Sequence, residues 1–198
     1  MIYLNNYGWN DKLSQLKQES TYNALTHGRI SIVHRTCYEV VSENGLFQCE
    51  LTGNMMYGKS DIELPCTGDW VLFQPFDEHK GIIVDMLPRE RTLYRKKNGT
   101  VADKQAIASY VDKAFIVQSL DDNFNVRRAE RFMVQMQEEN INPVLVFNKA
   151  DLGFDEQKVE EQIRHIARQI PVFFTSIHQP QTILQLRESI SAGETVVF

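Results

Sequence analysis

Asn148, Lys149 and Asp151 stand at the end of the run Pro143-Val144-Leu145-Val146-Phe147-Asn148-Lys149-Ala150-Asp151-Leu152. Each is a residue type with a distinct use at a purine. The Asp151 carboxylate can accept from two adjacent N–H groups, and guanine offers such a pair on its N1 and exocyclic N2 edge. The Lys149 stem can lie along a flat base while its ammonium stays in water. The Asn148 amide both donates and accepts, so it can tie neighbouring loops together or reach the base. The competing reading is an ordinary solvated turn.

The flanking elements favour the chemical reading. Four apolar residues in a row after a proline predict a strand buried on both faces, as in a parallel α/β sheet. Ligands of such sheets bind beyond the carboxyl ends of the strands, where Asn148, Lys149 and Asp151 fall. In that setting Asn-Lys-x-Asp resembles the guanine-specifying motif of the GTPase superfamily. Around it, residues 111–120 read as a strand, and Asn125 to Asn140 as a helix with an Asn cap. Glu156 to Ile170 follows as a helix, Pro171 to Ser176 as a strand and Gln181 to Ile190 as a helix. Thr195 to Phe198 begins one more strand. Strand–helix alternation with short connections predicts a parallel sheet with helices on its faces.

Upstream the period changes to two. Residues 29–34, 37–41, 46–51, 70–73 and 81–87 are five strand candidates separated by turn signals such as Ser42-Glu43-Asn44-Gly45. Five short strands, with one longer connection after the third, suit a small closed barrel of the OB type, a class that commonly binds RNA or single-stranded DNA. Residues 1–20 read as an N-terminal arm with a short helix capped by Asn10 or Asp11. Trp9 is its anchor.

Gly53-Asn54-Met55-Met56-Tyr57-Gly58-Lys59-Ser60 matches G-x-x-x-x-G-K-[ST] letter for letter. A phosphate loop needs a helix after it, whose N-terminal N–H groups face the phosphate. Pro65 prevents a helix from propagating there. No Asp-x-x-Gly, which would hold magnesium, stands between Ser60 and Asn148. The match is read as accidental.

Six Lys or Arg against two acids between residues 89 and 104 give a local charge of +4 in a chain whose net charge is -5. The concentrated positive charge of Arg89, Arg91, Arg95, Lys96 and Lys97 is the candidate phosphate-contacting stretch for RNA, inside what reads as a basic linker at 89–110. The acidic whole argues against a generally basic nucleic-acid coat protein. Three widely spaced cysteines predict neither a disulfide framework nor a zinc site. No apolar run approaches a membrane span, and no signal peptide is visible.

The order of these parts resembles one family. Gly68-Asp69-Trp70-Val71, Leu87-Pro88-Arg89, Leu93-Tyr94-Arg95, Gln105-Ala106-Ile107-Ala108 and Val111-Asp112 carry the likeness. So do Asn125-Val126-Arg127-Arg128 with Glu130-Arg131-Phe132, Pro143 to Leu152, and Pro171-Val172 with Ser176. All are placed as in the ribosome small-subunit-dependent GTPases (RsgA), which are circularly permuted. The resemblance implies an α/β plus all-β chain: an OB-type barrel at 21–88, then a partial parallel α/β GTPase domain at 111–198, truncated before the P-loop. It implies Asn148, Lys149, Asp151 and Ser176 as the guanine-binding residues of GTP or GDP. It also implies Mg2+ in the complete protein, zinc only in a C-terminal domain beyond this chain, and no catalytic residue here. The implied role is maturation of the 30S subunit with contact to 16S rRNA, by a cytoplasmic monomer away from membranes. Two positions depart from the pattern. Tyr110 stands where the family usually has Asn, and the loop after Ser176 lacks the usual glycine. The alternative reading is an OB-type RNA-binding or ribosome-docking module that binds no nucleotide.

Overall fold

Period-two alternation carries the first half of the chain into strands. β1 (Thr26–Val33), β2 (Tyr38–Ser42), β3 (Gly45–Leu51), β4 (Trp70–Asp77) and β5 (Lys80–Met86) close into a barrel in the order β1-β2-β3-β5-β4. β3 and β5 pair in parallel and the other neighbours are antiparallel. This is the OB-type barrel expected from the strand spacing. The computed structural model describes residues 1–96, 104–121, 124–153 and 156–198. They form two compact units, Met1–Val111 and Asp112–Phe198.

The barrel interior is filled by Ile30, Val40, Phe47, Cys49, Val71, Phe73 and Ile83, with the Phe47 and Phe73 rings 5.2 Å apart. Both rings are therefore core side chains and present no stacking platform. Burial pushes the Cys49 and Cys66 thiols up to about 12, so neither is a thiolate at neutral pH. A second cluster joins Leu4, Leu13, Val41, Trp70, Leu72, Leu87 and Tyr110. It seats the arm helix α1 (Asp11–Glu19), whose Asn10 cap accepts from the Leu13 N–H at 3.1 Å.

Two strands run further than the pattern predicts. β4 continues through Pro75 because the pairing with β5 shifts between Pro75 and Asp77, and a bulge is where a strand tolerates a missing N–H. β1 starts at Thr26, three residues before the expected Arg29. Gly28 hides that start from periodicity, since it has no side chain to alternate. A Cβ there would stand 2.5 Å from Val40 Cγ1 and 2.7 Å from the Val41 carbonyl oxygen.

The segment read as a linker holds a hairpin, β6 (Leu93–Lys96) and β7 (Lys104–Ala108), paired antiparallel. Its far end is tied to the barrel by a bridge between Thr67 and Ala108 and by the Ser109 N–H donating to the Thr67 carbonyl at 2.9 Å. Gly68 makes that approach possible. Its φ is +94° and a Cβ would stand 2.4 Å from the Ser109 carbonyl oxygen. Gly68→Ala is expected to lower the stability of the 198-residue chain by about 2–3 kcal/mol through left-handed strain and overpacking. A urea melt checks this, and a loss under about 0.5 kcal/mol would show that the backbone gives way easily.

The second unit is a parallel sheet. β8 (Lys113–Ser119), β9 (Asn142–Asn148), β10 (Val172–Thr175) and β11 (Val196–Val197) lie in the order β10-β9-β8-β11. Its helices are α3 (Val126–Glu138), α4 (Glu156–Ala167) and α5 (Pro180–Glu188). β9 is buried on both faces, as its apolar run predicts. Leu145 and Phe147 join Met133 of α3 and Ile163 and Ile166 of α4. Val144 and Val146 pack on the other face, near Leu186 of α5. Among the described residues, no helix is long and apolar enough to cross a membrane.

Candidate functional site

Register brings three polar residues level at the carboxyl ends of adjacent strands. Ser119 on β8 and Thr175 on β10 both stand opposite Asn148 on β9. Beyond Asn148 the backbone turns sharply. Lys149 is left-handed at φ 62°, a short 3-10 turn spans Ala150–Leu152, and Gly153 is left-handed at φ 72°. A left-handed Lys costs about 1–2 kcal/mol, a local strain borne at the residue expected to meet the base.

The side chains of this turn are held from both sides. Lys149 Nζ lies 2.8 Å from Asp121 Oδ2, and the Ser119 hydroxyl donates to Asp121 Oδ1 at 2.8 Å. The Lys149 side chain stays half exposed, so its ammonium keeps water as well as its partner. On the other side, the fully buried Ser176 donates its hydroxyl to Asp151 Oδ1. That hydroxyl accepts from the His178 N–H at 3.0 Å, and the Ser176 N–H donates to Thr182 Oγ1 at 3.0 Å. The Ser176 hydrogen bond holds the Asp151 carboxyl below its usual range, so the group is ionised at neutral pH. The Thr175 hydroxyl stands 3.4 Å from Asn148 Oδ1.

All four expected residues, Asn148, Lys149, Asp151 and Ser176, thus meet at one end of the sheet. The arrangement offers an exposed, oriented carboxylate and a half-exposed cation on a rigid strand end. It suits a planar ligand with paired N–H donors. Asp121 and Thr182 escaped the sequence reading. The available signal for Asp121 was its place two residues past β8, beside the end of β9.

The basic stretch is divided by the structure. Arg89 donates to Asp69 from Nε at 2.9 Å and from Nη2 at 2.6 Å. It also donates to the Ile62 and Leu64 carbonyls. With its side chain 12% exposed and that of Asp69 at 0%, its charge serves as an internal brace. Arg91 donates to the Val111 carbonyl at 3.1 Å and lies 3.4 Å from Glu90. Arg95 is exposed on β6 and reaches Gln105 on β7 at 3.2 Å, and Lys96 ends β6. Lys97 lies outside the described residues.

The phosphate-loop look-alike is a different structure. A single helical turn spans Gly53–Met56, and no helix follows Ser60. Glu63 accepts from the Ser60 N–H at 3.0 Å and from its hydroxyl at 2.7 Å, and lies 3.4 Å from Lys59. A carboxylate fills the place a phosphate would need. Lys59→Ala is accordingly expected to leave nucleotide affinity within about twofold of the parent. Nucleotide binding or GTP turnover that disappears with Lys59 would reverse this reading.

A family model for the RsgA GTPase matches residues 86–198. The small ribosomal subunit biogenesis GTPase RsgA 1 of Bacteroides thetaiotaomicron is 73% identical over 192 residues, covering 97% of this chain and 54% of that protein. The RsgA of Methanosarcina acetivorans is 32% identical over 194 residues, covering 96% of this chain and 51% of that protein. The chain therefore spans about half the length of these curated relatives. In fold it is similar to YloQ, a circularly permuted GTPase, with TM-score 0.64 at 22% identity, covering 91% of this chain and 61% of that one. YjeQ from Thermotoga maritima gives the same TM-score and identity, covering 84% of this chain and 57% of that one.

Proposed function

The chain belongs to the RsgA GTPase family, and from that premise we propose that it is the rRNA-contacting and base-recognising part of a GTPase acting in maturation of the small ribosomal subunit. Asn148, Lys149, Asp151 and Ser176 read the guanine of GTP or GDP, with Mg2+ accompanying the phosphates in the complete protein. The observation that carries this reading is the meeting of Ser176 with Asp151 beside Lys149 at the carboxyl ends of β9 and β10. A carboxylate already oriented by a buried hydroxyl loses little freedom when it pairs with the N1 and N2 edge. The barrel and the β6–β7 hairpin contact 16S rRNA in the 30S subunit, and the protein works as a cytoplasmic monomer.

The RNA half of the proposal has its own test. Replacing Arg95, Lys96 and Lys97 with Ala is expected to weaken binding to 16S rRNA or 30S subunits and to flatten the salt dependence. Each lost phosphate contact lowers the slope by about 0.7–0.9. Filter binding across a salt series measures both. Unchanged affinity and slope would remove the hairpin from the RNA interface. The nucleotide half is tested by titrating GDP against ADP into a longer chain that adds phosphate contacts, and indifference between the two there would favour a docking module without base recognition.

A further inference from the structure

Trp9, Ser14, Lys17, Gln18, Asn23 and His27 line a cavity of about 350 Å3 where the arm helix α1 meets the start of β1. That volume lies at the small end of the range of about 300–1,000 Å3 for ligand sites. The Trp9 ring packs 4.1 Å from His27 and meets the edge of Trp70 at 4.8 Å. Lys17 Nζ lies 3.1 Å from His27 Nδ1. An ammonium has only N–H groups to give, so Nδ1 accepts and the ring proton sits on Nε2. His27 Nε2 is buried and finds no acceptor in the protein.

Burial, followed by the Lys17 charge, lowers the His27 pKa, so the ring is neutral at pH 7. Burial also lowers the Lys17 pKa, while Glu43 favours the charged form of both. The cavity thus combines an indole with a partly desolvated ammonium that the His27 ring holds through Nδ1. His27 Nε2 is closed off from solvent, which leaves the Trp9 indole and the Lys17 ammonium as the groups of the cavity that a ligand meets. A group that satisfies this set brings a flat aromatic face and acceptor oxygens carrying negative charge. Sequence-tolerant binding of single strands uses the same pairing of aromatic face and cation.

We propose that the cavity of Trp9, Lys17 and His27 binds one nucleotide of single-stranded RNA, its base against the Trp9 indole and its phosphodiester at the Lys17 ammonium. This rests on the proposed RNA-binding role of the barrel and gives it a specific pocket, apart from the hairpin. The same chemistry admits a free nucleoside monophosphate.

The test uses the 198-residue chain labelled with nitrogen-15. The indole N–H signals of Trp9 and Trp70 and the His27 ring signals are followed by NMR during titration with uridine or adenosine monophosphate and with RNA hexanucleotides. The Trp9 and His27 signals are expected to move with the RNA, more than that of Trp70. Lys17→Met and His27→Gln should each weaken binding by about tenfold, with melting curves confirming that both remain folded. Trp9 and His27 signals that stay put in every titration overturn the proposal. Hexanucleotide affinity unchanged in both variants also overturns it, while leaving the barrel's RNA role standing. Saturable shifts with the monophosphate alone, lost in Lys17→Met, overturn RNA as the occupant and assign the cavity to a free nucleotide.

Discussion

Asp151→Asn is expected to cost guanine nucleotide about a hundredfold or more in affinity and to gain affinity for xanthine nucleotide. In the proposed role the carboxylate would accept from two N–H groups of guanine, each charged hydrogen bond contributing about 1.5–3 kcal/mol. An amide in its place presents one acceptor and one NH2, so one of the two pairs becomes donor against donor. Xanthine carries a carbonyl at C2 where guanine has an amine, and that carbonyl accepts from the new amide. Ser176 can still donate to an Asn oxygen as it does to Asp151 Oδ1, so the turn itself should hold. Base contacts must also offset the cost of ordering the ligand. The 198-residue chain alone should therefore bind weakly or undetectably. The exchange is best read in a longer chain that adds phosphate contacts, by titrating both nucleotides against both variants. An Asn variant with full GTP affinity would mean that Asp151 does not read the base.

Arg89→Met is expected to destabilise the chain by about 3–5 kcal/mol, the cost of leaving a buried carboxylate without its partner. Asp69 is fully buried, and besides Arg89 it accepts from the Cys66 N–H at 2.7 Å. Its backbone is equally committed, because its carbonyl accepts from the Ile30 N–H at 2.9 Å. Arg89 further binds the Ile62 and Leu64 carbonyls of the long connection between β3 and β4. Its loss should therefore loosen that connection as well as expose the pair. Removing both charges together, in Asp69→Asn with Arg89→Met, should recover part of the loss, since the uncompensated charge is gone. Urea melts of the two variants and the parent measure this. A single variant within about 1 kcal/mol of the parent would show that Asp69 finds water or another donor when Arg89 is removed.

The Arg89 case shows where reading along the chain fails. Counting charge between residues 89 and 104 finds a basic cluster, but Asp69 lies twenty positions upstream, and only barrel closure brings the two together. Arg95 has no such buried partner and lies exposed on β6. The hairpin β6–β7 was hidden for a related reason. Its strands are short, and what fixes them is the Thr67 to Ser109 contact through Gly68, a pairing between distant positions that leaves no local period.

What the sequence alone determined was whatever a local rule controls. Four apolar residues before Asn148 specify a strand buried on both faces, and Asn-Lys-x-Asp then falls at its carboxyl end. Alternation specifies five barrel strands, and Pro65 denies Gly53 to Ser60 the helix that a phosphate loop needs. The tertiary structure decided which polar groups became partners. Asp121 meets Lys149 because β8 and β9 pair with Ser119 opposite Asn148, and Ser176 meets Asp151 because β10 pairs with β9. The physical reason is one of range. Periodicity and turn chemistry act over a few residues, whereas a hydrogen bond or ion pair needs contact within about 3–4 Å. Strand register alone brings residues 25 or more positions apart to that distance.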